Sequence, residues 1–208
     1  MRANFVWQLP RLPGSSKTMQ AIGYVVNDWS LSGIWSGASG SAYAANFSYQ
    51  NGGGNTNLSG SPDFAPRVRI VGATGSGCSS DPLRQFNTAA FQGPLVGSDG
   101  LESSNGYLRG CFVSQTDLAI ARTINLGRGK SVQFRVDVFN AWNQAAIIGR
   151  STTMNLASPS DPVIVTNLPF DAAGNVIATR STPKNPGFGI ATGYQPPRTM
   201  QLQARFSF

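Results

Sequence analysis

The sequence predicts an all-β fold, an antiparallel transmembrane β-barrel fragment of about five strands with two long extracellular loops. Three observations lead to this prediction. Apolar and polar residues alternate with period two in five segments, and turn residues bound each segment. The connections between the segments alternate between short and long. Charged residues make up only 12% of the chain, about half the share usual in soluble domains.

The first two segments each carry an aromatic-rich row. The first covers residues 4–9 and stops before Pro10. The second begins at Asp28, and we expect it to continue to about Phe47. The two rows are Phe5, Trp7 and Leu9 in the first segment, and Trp29, Leu31, Gly33 and Trp35 in the second.

The third and fourth segments predict a hairpin. They cover residues 117–126 and 132–138, and a tight turn over residues 127–130 joins them. Arg122 interrupts the apolar row of the third segment. An arginine at mid-membrane costs about 2–4 kcal/mol, so we expect Arg122 near a strand end, where it can snorkel to the interface.

The fifth segment covers residues 199–208 and completes two chemically distinct faces. Apolar rows of a barrel face lipid and polar rows face the lumen. The expected lipid row of the fourth segment is Val132, Phe134, Val136 and Val138. The expected lumen rows of the last two segments are Gln133, Arg135, Asp137, Gln201, Gln203 and Arg205.

The lengths of the connections favour a membrane barrel over a compact soluble domain. The long links cover about Ser48 to Gln115 and Gln144 to Pro197. Loops of this length are uncommon in compact domains, whereas outer-membrane barrels combine short periplasmic turns with long outer loops. Five strands cannot close a barrel, and lipid does not tolerate open sheet edges. Residues 1–208 are therefore expected to form part of one barrel domain, with the export signal and the other strands elsewhere.

The composition argues against an enzyme and against a nucleic-acid-binding protein. The chain has no His, which removes the commonest general base and metal ligand. Asp161, Asp171 and the Asp99/Glu102 pair lack the spacing of a metal loop or a catalytic pair. The net charge is +7, but the basic residues are scattered along the chain. We expect no catalytic residue, no metal, no cofactor and no nucleic-acid partner.

Cys78 and Cys111 both fall in the first long link. In an oxidising compartment they could form a disulfide that contributes about 3–4 kcal/mol by loop closure. Two buried, unpaired cysteines are the alternative. The disulfide is the favoured interpretation if the chain is exported.

The last eleven residues, from Arg198 to Phe208, resemble the terminal strand of outer-membrane barrels. In such proteins the barrel-assembly machinery binds a terminal strand that ends in Phe, which implies this role for Phe206 and Phe208. An ordered set of further segments resembles the barrel of Oar-like TonB-dependent receptors, which carry a carboxypeptidase-regulatory-like domain. These segments are residues 29–33, 39–43, 85–91, 107–110, 117–120, 133–143, 187–192 and 197–198.

The resemblance implies a location in the bacterial outer membrane and a role in ligand uptake. Such receptors have about 22 strands, a plug, and an N-terminal segment that contacts the TonB energy-coupling complex. Lipid, the remaining barrel, the plug and the assembly machinery are the implied partners, and Phe208 lies at the periplasmic side. Two alternatives stay open: a secreted all-β binding or adhesion module, and a truncated product without independent function.

Overall fold

The computed structural model divides into two compact units. We call the first the sheet unit; it consists of Met1–Ala38, Ser114–Ala145 and Pro196–Phe208. We call the second the loop unit; it consists of Ser39–Val113 and Ala146–Gln195. The structure describes residues 1–13, 16–51, 54–55, 67–95, 97–98, 103–158 and 161–208.

The sheet unit is built on one five-stranded sheet whose strands lie in chain order. Each strand overlaps one of the five alternating segments, so the predicted strands are confirmed. Among the described residues, the first and last strands each pair on one side only. The strands are β1 (Arg2–Gln8), β2 (Trp29–Ala38), β3 (Val113–Gly127), β4 (Lys130–Phe139) and β5 (Thr199–Ser207).

The register of the antiparallel pair β4–β5 aligns like with like across the strands. Apolar pairs are Val132–Phe206 and Val136–Leu202. The polar positions between them pair as Gln133–Arg205, Arg135–Gln203 and Asp137–Gln201. Side chains of a strand alternate between the two faces, so one face of this pair is apolar and the other polar.

The β3–β4 turn has the backbone conformation that a two-residue hairpin requires. Arg128 and Gly129 have φ angles of 53° and 78°. Positive φ at both central residues is the type I′ pattern, which matches the twist of the flanking strands. This turn lies at the same end of the sheet as the last residues of β5, because Ser131 pairs with Ser207. We call this end the turn end, and the opposite one the insertion end.

The prediction that the second strand reaches Phe47 is wrong, because β2 stops at Ala38. Beyond it the chain passes so close to Gly110 that a Cβ atom on Gly40 would overlap the Gly110 carbonyl. The chain then forms two short separate strands, Ala42–Tyr43 and Asn46–Ser48. The prediction for the third strand was too short, since β3 begins at Val113.

The connection between β1 and β2 contains a helix that the alternation pattern did not predict. Helix α1 covers Lys17–Val26. The Ser16 hydroxyl caps it by accepting a hydrogen bond of 3.2 Å from the Met19 N–H. Its last turn ends at Asn27, whose N–H donates to the Gly23 carbonyl at 2.9 Å. In the part of the chain that the structure describes, no helix is long and apolar enough to cross a membrane.

The described residues of the two long links fold together into the loop unit. Thr153–Ser158, from the second link, pairs in parallel with Asn46–Ser48, from the first. Two 3₁₀ helices cover Thr88–Ala90 and Ala178–Arg180. The other strands are Gln50–Asn51, Gly54–Asn55, Arg69–Ile70, Phe91–Gln92, Leu108–Arg109, Ile147–Arg150, Asp161–Val165, Ser181–Thr182, Asn185–Pro186 and Ala191–Tyr194.

A compact apolar core holds the loop unit together. Phe86 and Phe91 come from the first link and Phe188 from the second, and their ring centroids lie 5.1–5.8 Å apart. Edge-to-face aromatic contacts at this spacing are favourable beyond the area they bury. The buried members of the core are Ala45, Val68, Phe86, Ala90, Phe91, Leu108, Met154, Leu156 and Phe188.

Candidate functional site

Large apolar side chains on one face of the sheet unit are exposed. Leu202 is 80% exposed, Phe134 53% and Phe5 47%. A soluble protein rarely exposes a continuous apolar area of this kind. Phe5 and Leu118 both lie over Gly33, where an added Cβ would contact their rings and methyl groups, so the apolar row continues from β1 to β3.

The opposite face carries charged and amide side chains that are held in place by one another. The Arg135 guanidinium donates to the Asp137 carboxylate through Nε at 2.9 Å and Nη2 at 2.8 Å. Next along the face, Gln133 donates to the Thr123 hydroxyl at 3.3 Å. A charged pair bonded through two donors has a fixed geometry. The polar face is therefore an ordered surface.

Hydrogen bonds fasten the insertion end of the sheet unit. Asn140 is buried, and its N–H donates to the Asp117 carboxylate at 2.9 Å. Its side-chain amide donates to the main-chain carbonyls of Gln144 and Pro196, both at 2.8 Å, and its oxygen accepts from the Gln144 N–H. Asn143 likewise accepts from the Arg198 N–H at 3.0 Å. The segment 133–143, which carries the receptor resemblance, thus supplies the groups that close this end.

Arg122, the cation within the apolar row, is bound to the C-terminus of α1. Its guanidinium donates to the Tyr24 carbonyl and lies 5.6 Å from the centroid of the Trp29 ring. The Trp29 indole N–H donates to the Val25 carbonyl at 2.9 Å. The carbonyls at a helix C-terminus are partly negative and lack intrahelical partners, so a cation and an N–H donor stabilise them. Arg122 lies five residues before the end of β3 and beside the start of β2, since the Thr123 N–H donates to the Asp28 carbonyl at 3.3 Å.

In the loop unit the two cysteines are joined. The Cys78–Cys111 disulfide has a Cα–Cα distance of 4.9 Å and a sequence separation of 33. Arg150 donates to the Cys111 sulfur at 3.1 Å, and its guanidinium lies 5.3 Å from the centroid of the Tyr43 ring. The disulfide therefore closes a loop within the first segment of the loop unit, and Arg150 links that segment to the second.

The hydroxyls of Tyr43 and Tyr107 form hydrogen bonds within the first segment of the loop unit. The Tyr43 hydroxyl donates to the Gly77 carbonyl at 2.5 Å. Burial raises the pKa of Tyr43 to about 12 and outweighs Arg150, which lowers it. The Ala45 N–H donates to the Tyr107 hydroxyl at 3.0 Å, and burial raises the pKa of Tyr107 as well. Both phenols are neutral, structural groups at physiological pH.

The core of the loop unit includes residues of segments 85–91 and 187–192. Both segments belong to the set that resembles Oar-like barrels. Gln85 is buried, and its amide donates to the carbonyls of Ser79 and Asp81. The Gln85 N–H donates to the Gly189 carbonyl at 2.9 Å, which joins the two segments directly. These residue types are therefore explained by folding, without any bound ligand.

The other residues singled out from the sequence are spread over the molecule. The rings of Phe206 and Phe208 lie at the turn end, 5.9 Å apart and exposed. Asp171 accepts hydrogen bonds from the main chain of its own turn, which lower its pKa. The Asp99/Glu102 pair lies outside the described residues. Within the described ranges, no three Cys, Asp or Glu residues are grouped as metal ligands.

Comparison with known families shows to which family the chain with this sheet, apolar on one face and polar on the other, belongs. The model of the family described as outer membrane beta barrel domain matches residues 1–201. The chain belongs to this family. The outer-membrane barrel fold and the outer-membrane location predicted from the sequence are confirmed. Searches of the curated proteins and of the solved structures found no match.

Membership in the outer-membrane barrel family assigns an environment to each face of the sheet unit. In such barrels lipid contacts an apolar outer band, and the inner face is polar. The exposed row that contains Leu202, Phe134 and Phe5 is the lipid-facing surface of this barrel wall. The row with the Arg135–Asp137 ion pair faces the lumen.

Proposed function

We propose that this outer-membrane barrel chain forms part of the wall of a TonB-dependent, Oar-like receptor and lines a ligand-uptake pore. The two-faced sheet carries the proposal, because a wall with an ordered polar face opposite a lipid face encloses a lumen. The receptor assignment is supported by the ordered set of segments that resemble Oar-like barrels. In this role the residues form wall and loops and catalyse no reaction.

The proposed orientation places the turn end at the periplasm and the loop unit outside the cell. Outer-membrane barrels have short periplasmic turns and longer outer connections. Both segments of the loop unit are inserted after strands that run toward the insertion end, following β2 and β4. The plug and the TonB-contacting segment would lie in other parts of the receptor.

The unpaired edges of the sheet require further strands that pair with them. Within the described residues, β1 and β5 each have one unpaired edge. Unpaired N–H and C=O groups cost several kcal/mol each in lipid, so the edges must be paired in the membrane. We propose that other strands of the same receptor barrel pair with them, and that the assembly machinery binds β5 through Phe206 and Phe208.

Electrical conductance of the full native product in a planar lipid bilayer tests the receptor assignment against a simple pore. A plugged receptor conducts little, and urea, which unfolds the plug before the barrel, should open large channels reversibly. A steady open conductance without urea would instead indicate a porin. As a second readout, an immobilised periplasmic domain of the host TonB protein should retain the detergent-solubilised product. Failure to bind it would contradict energy coupling.

Solubility distinguishes the secreted alternative. A barrel wall needs detergent, because its lipid face is exposed. The 208-residue chain, of 22.0 kDa, should therefore aggregate in water without detergent. A monodisperse, folded 22.0 kDa protein in plain buffer would favour a secreted β-module.

A further inference from the structure

We propose that helix α1 is an interfacial helix, which lies on the lipid headgroup zone at the turn end of the barrel wall. This inference rests on the lipid-facing surface described above and does not depend on the receptor assignment. Its occupant is the phospholipid leaflet that adjoins the turn end. Three observations support it: the position of α1, its exposed apolar face and its charge.

The position of α1 is fixed by contacts with the lipid-facing row. Arg122, which donates to the Tyr24 carbonyl, pairs in register with Phe134 of that row. A cavity of about 310 Å³ lies between the helix and the end of β3, with Met19 and Gly23 on one side and Ile124 on the other. The helix is therefore adjacent to the lipid-facing surface at the turn end.

The side of α1 turned away from this cavity is apolar and exposed. Ile22, Val25 and Val26 have the i, i+3, i+4 spacing that places them on one helix face. They are 44%, 63% and 39% exposed. This apolar face adds to the exposed apolar surface that the lipid-facing row provides.

The charge of the region complements a phospholipid surface. Lys17 is the only charged residue of α1, so the helix carries no negative charge. Arg122 adds a second cation at its C-terminus, stacked near Trp29. Interfacial helices combine an apolar face with basic residues that attract anionic headgroups, and Trp and Arg are favoured at this depth. The exposed apolar face and the basic charge therefore both indicate a phospholipid surface as the partner.

Nitroxide accessibility in the full native product tests the proposal. The variants Ile22→Cys and Val25→Cys, with Lys17→Cys as the control on the polar part of α1, are labelled and reconstituted in phosphatidylethanolamine–phosphatidylglycerol vesicles. Within these 208 residues the Cys78–Cys111 disulfide leaves the introduced thiol as the reactive one, and any free cysteine elsewhere in the product is replaced by Ser first.

At positions 22 and 25 we expect collisions with dissolved oxygen to exceed those with a water-soluble nickel chelate, and the reverse at position 17. Equal, high nickel accessibility at all three positions would place α1 in water. Low accessibility to both reagents at positions 22 and 25 would mean that protein covers the face. Either result would overturn the proposal. Unchanged heat modifiability on gel electrophoresis shows that each variant is folded.

Discussion

The side-chain amide of Asn140 donates a hydrogen bond of 2.8 Å to the main-chain carbonyl of Pro196. Fifty-six positions separate the two residues, and the whole second insertion of the loop unit lies between them. Asn140 directly follows β4, and Pro196 precedes β5. The bond therefore fixes both ends of the insertion within the sheet unit, whatever the length or sequence of the inserted segment.

Replacing Asn140 by Ala should destabilise the barrel wall. The change removes the hydrogen bonds of the buried amide to the carbonyls of Gln144 and Pro196 and its bond from the Gln144 N–H. We expect the free energy of unfolding to fall by about 3 kcal/mol, measured by urea titration of the full product in micelles. Asn125→Ala, on an exposed residue of β3, is the control and should change it by less than about 0.5 kcal/mol. Equal effects of the two variants would contradict the role of Asn140.

A matched pair of arginine substitutions on β5 should distinguish the two faces at one depth. Leu202→Arg places a cation in the lipid-facing row and should cost about 2–4 kcal/mol. Gln201→Arg places it on the polar face opposite Asp137 and should cost little. Unfolding free energies in lipid vesicles provide the measurement. A larger loss for Gln201→Arg would reverse the assignment of the faces.

Removing the disulfide should loosen the loop unit while sparing the wall. The bridge closes a segment with a sequence separation of 33, so its loss should cost about 3–4 kcal/mol. The Cys78→Ser/Cys111→Ser variant should therefore be cleaved faster within the loop unit by an added protease, with unchanged heat modifiability of the barrel. A reductant should accelerate cleavage of the wild type and leave the variant unaffected. If it accelerates both equally, another site controls cleavage.

Alkaline pH should weaken the loop unit through Tyr43. The pKa of this phenol is about 12 in the folded protein and 10.0 in the unfolded reference. Because the folded state holds the proton more tightly, the stabilisation is fully present below pH 10 and is lost as the pH rises from about 10 to about 12. Absorbance of tyrosinate in the ultraviolet should show a late-titrating phenol that is lost in Tyr43→Phe, while Tyr107, whose pKa burial also raises, is retained in both proteins. Titration of that phenol near pH 10 would contradict its burial.

The terminal phenylalanines should matter for assembly and not for the finished wall. Both rings are exposed at the turn end, so they bury little area in the sheet unit. We expect Phe206→Ala and Phe208→Ala to lower the yield of heat-modifiable barrel in the outer membrane, while the urea midpoint of the assembled fraction stays near that of the wild type. Ser207→Ala, between them, is the control. A normal yield for both Phe variants would refute the assembly signal.

Period-two alternation was enough to predict the five strands, because a wall between lipid and water sorts side chains by face. It did not predict α1. That helix contains Gly23 and four β-branched residues, which are weak helix formers. Its last carbonyls accept hydrogen bonds from the nearby Trp29 indole and from Arg122, 98 positions away. The distant partner leaves no local pattern in the sequence.

The loop unit was unpredictable for a related reason. Phe86 and Phe188 form one core although about a hundred residues separate them, and no periodicity connects the two. The resemblance picked out both segments without indicating that they meet. Cys78 and Cys111 were the one pair in this unit that residue type alone could bring together. The polar face was easier to predict from the sequence, because Arg135 and Asp137 lie two residues apart on one strand.

The parallel pairing of Thr153–Met154 with Asn46–Phe47 has a consequence for exchanging parts between relatives. Engineers who graft a single outer loop from one receptor onto another treat loops as interchangeable modules. Here each insertion supplies half of a shared interior, so a single foreign graft would leave Phe188 or its partners Phe86 and Phe91 facing an unrelated surface. The smallest transplantable piece is both insertions together, and natural variation should likewise be inherited by the two as a set.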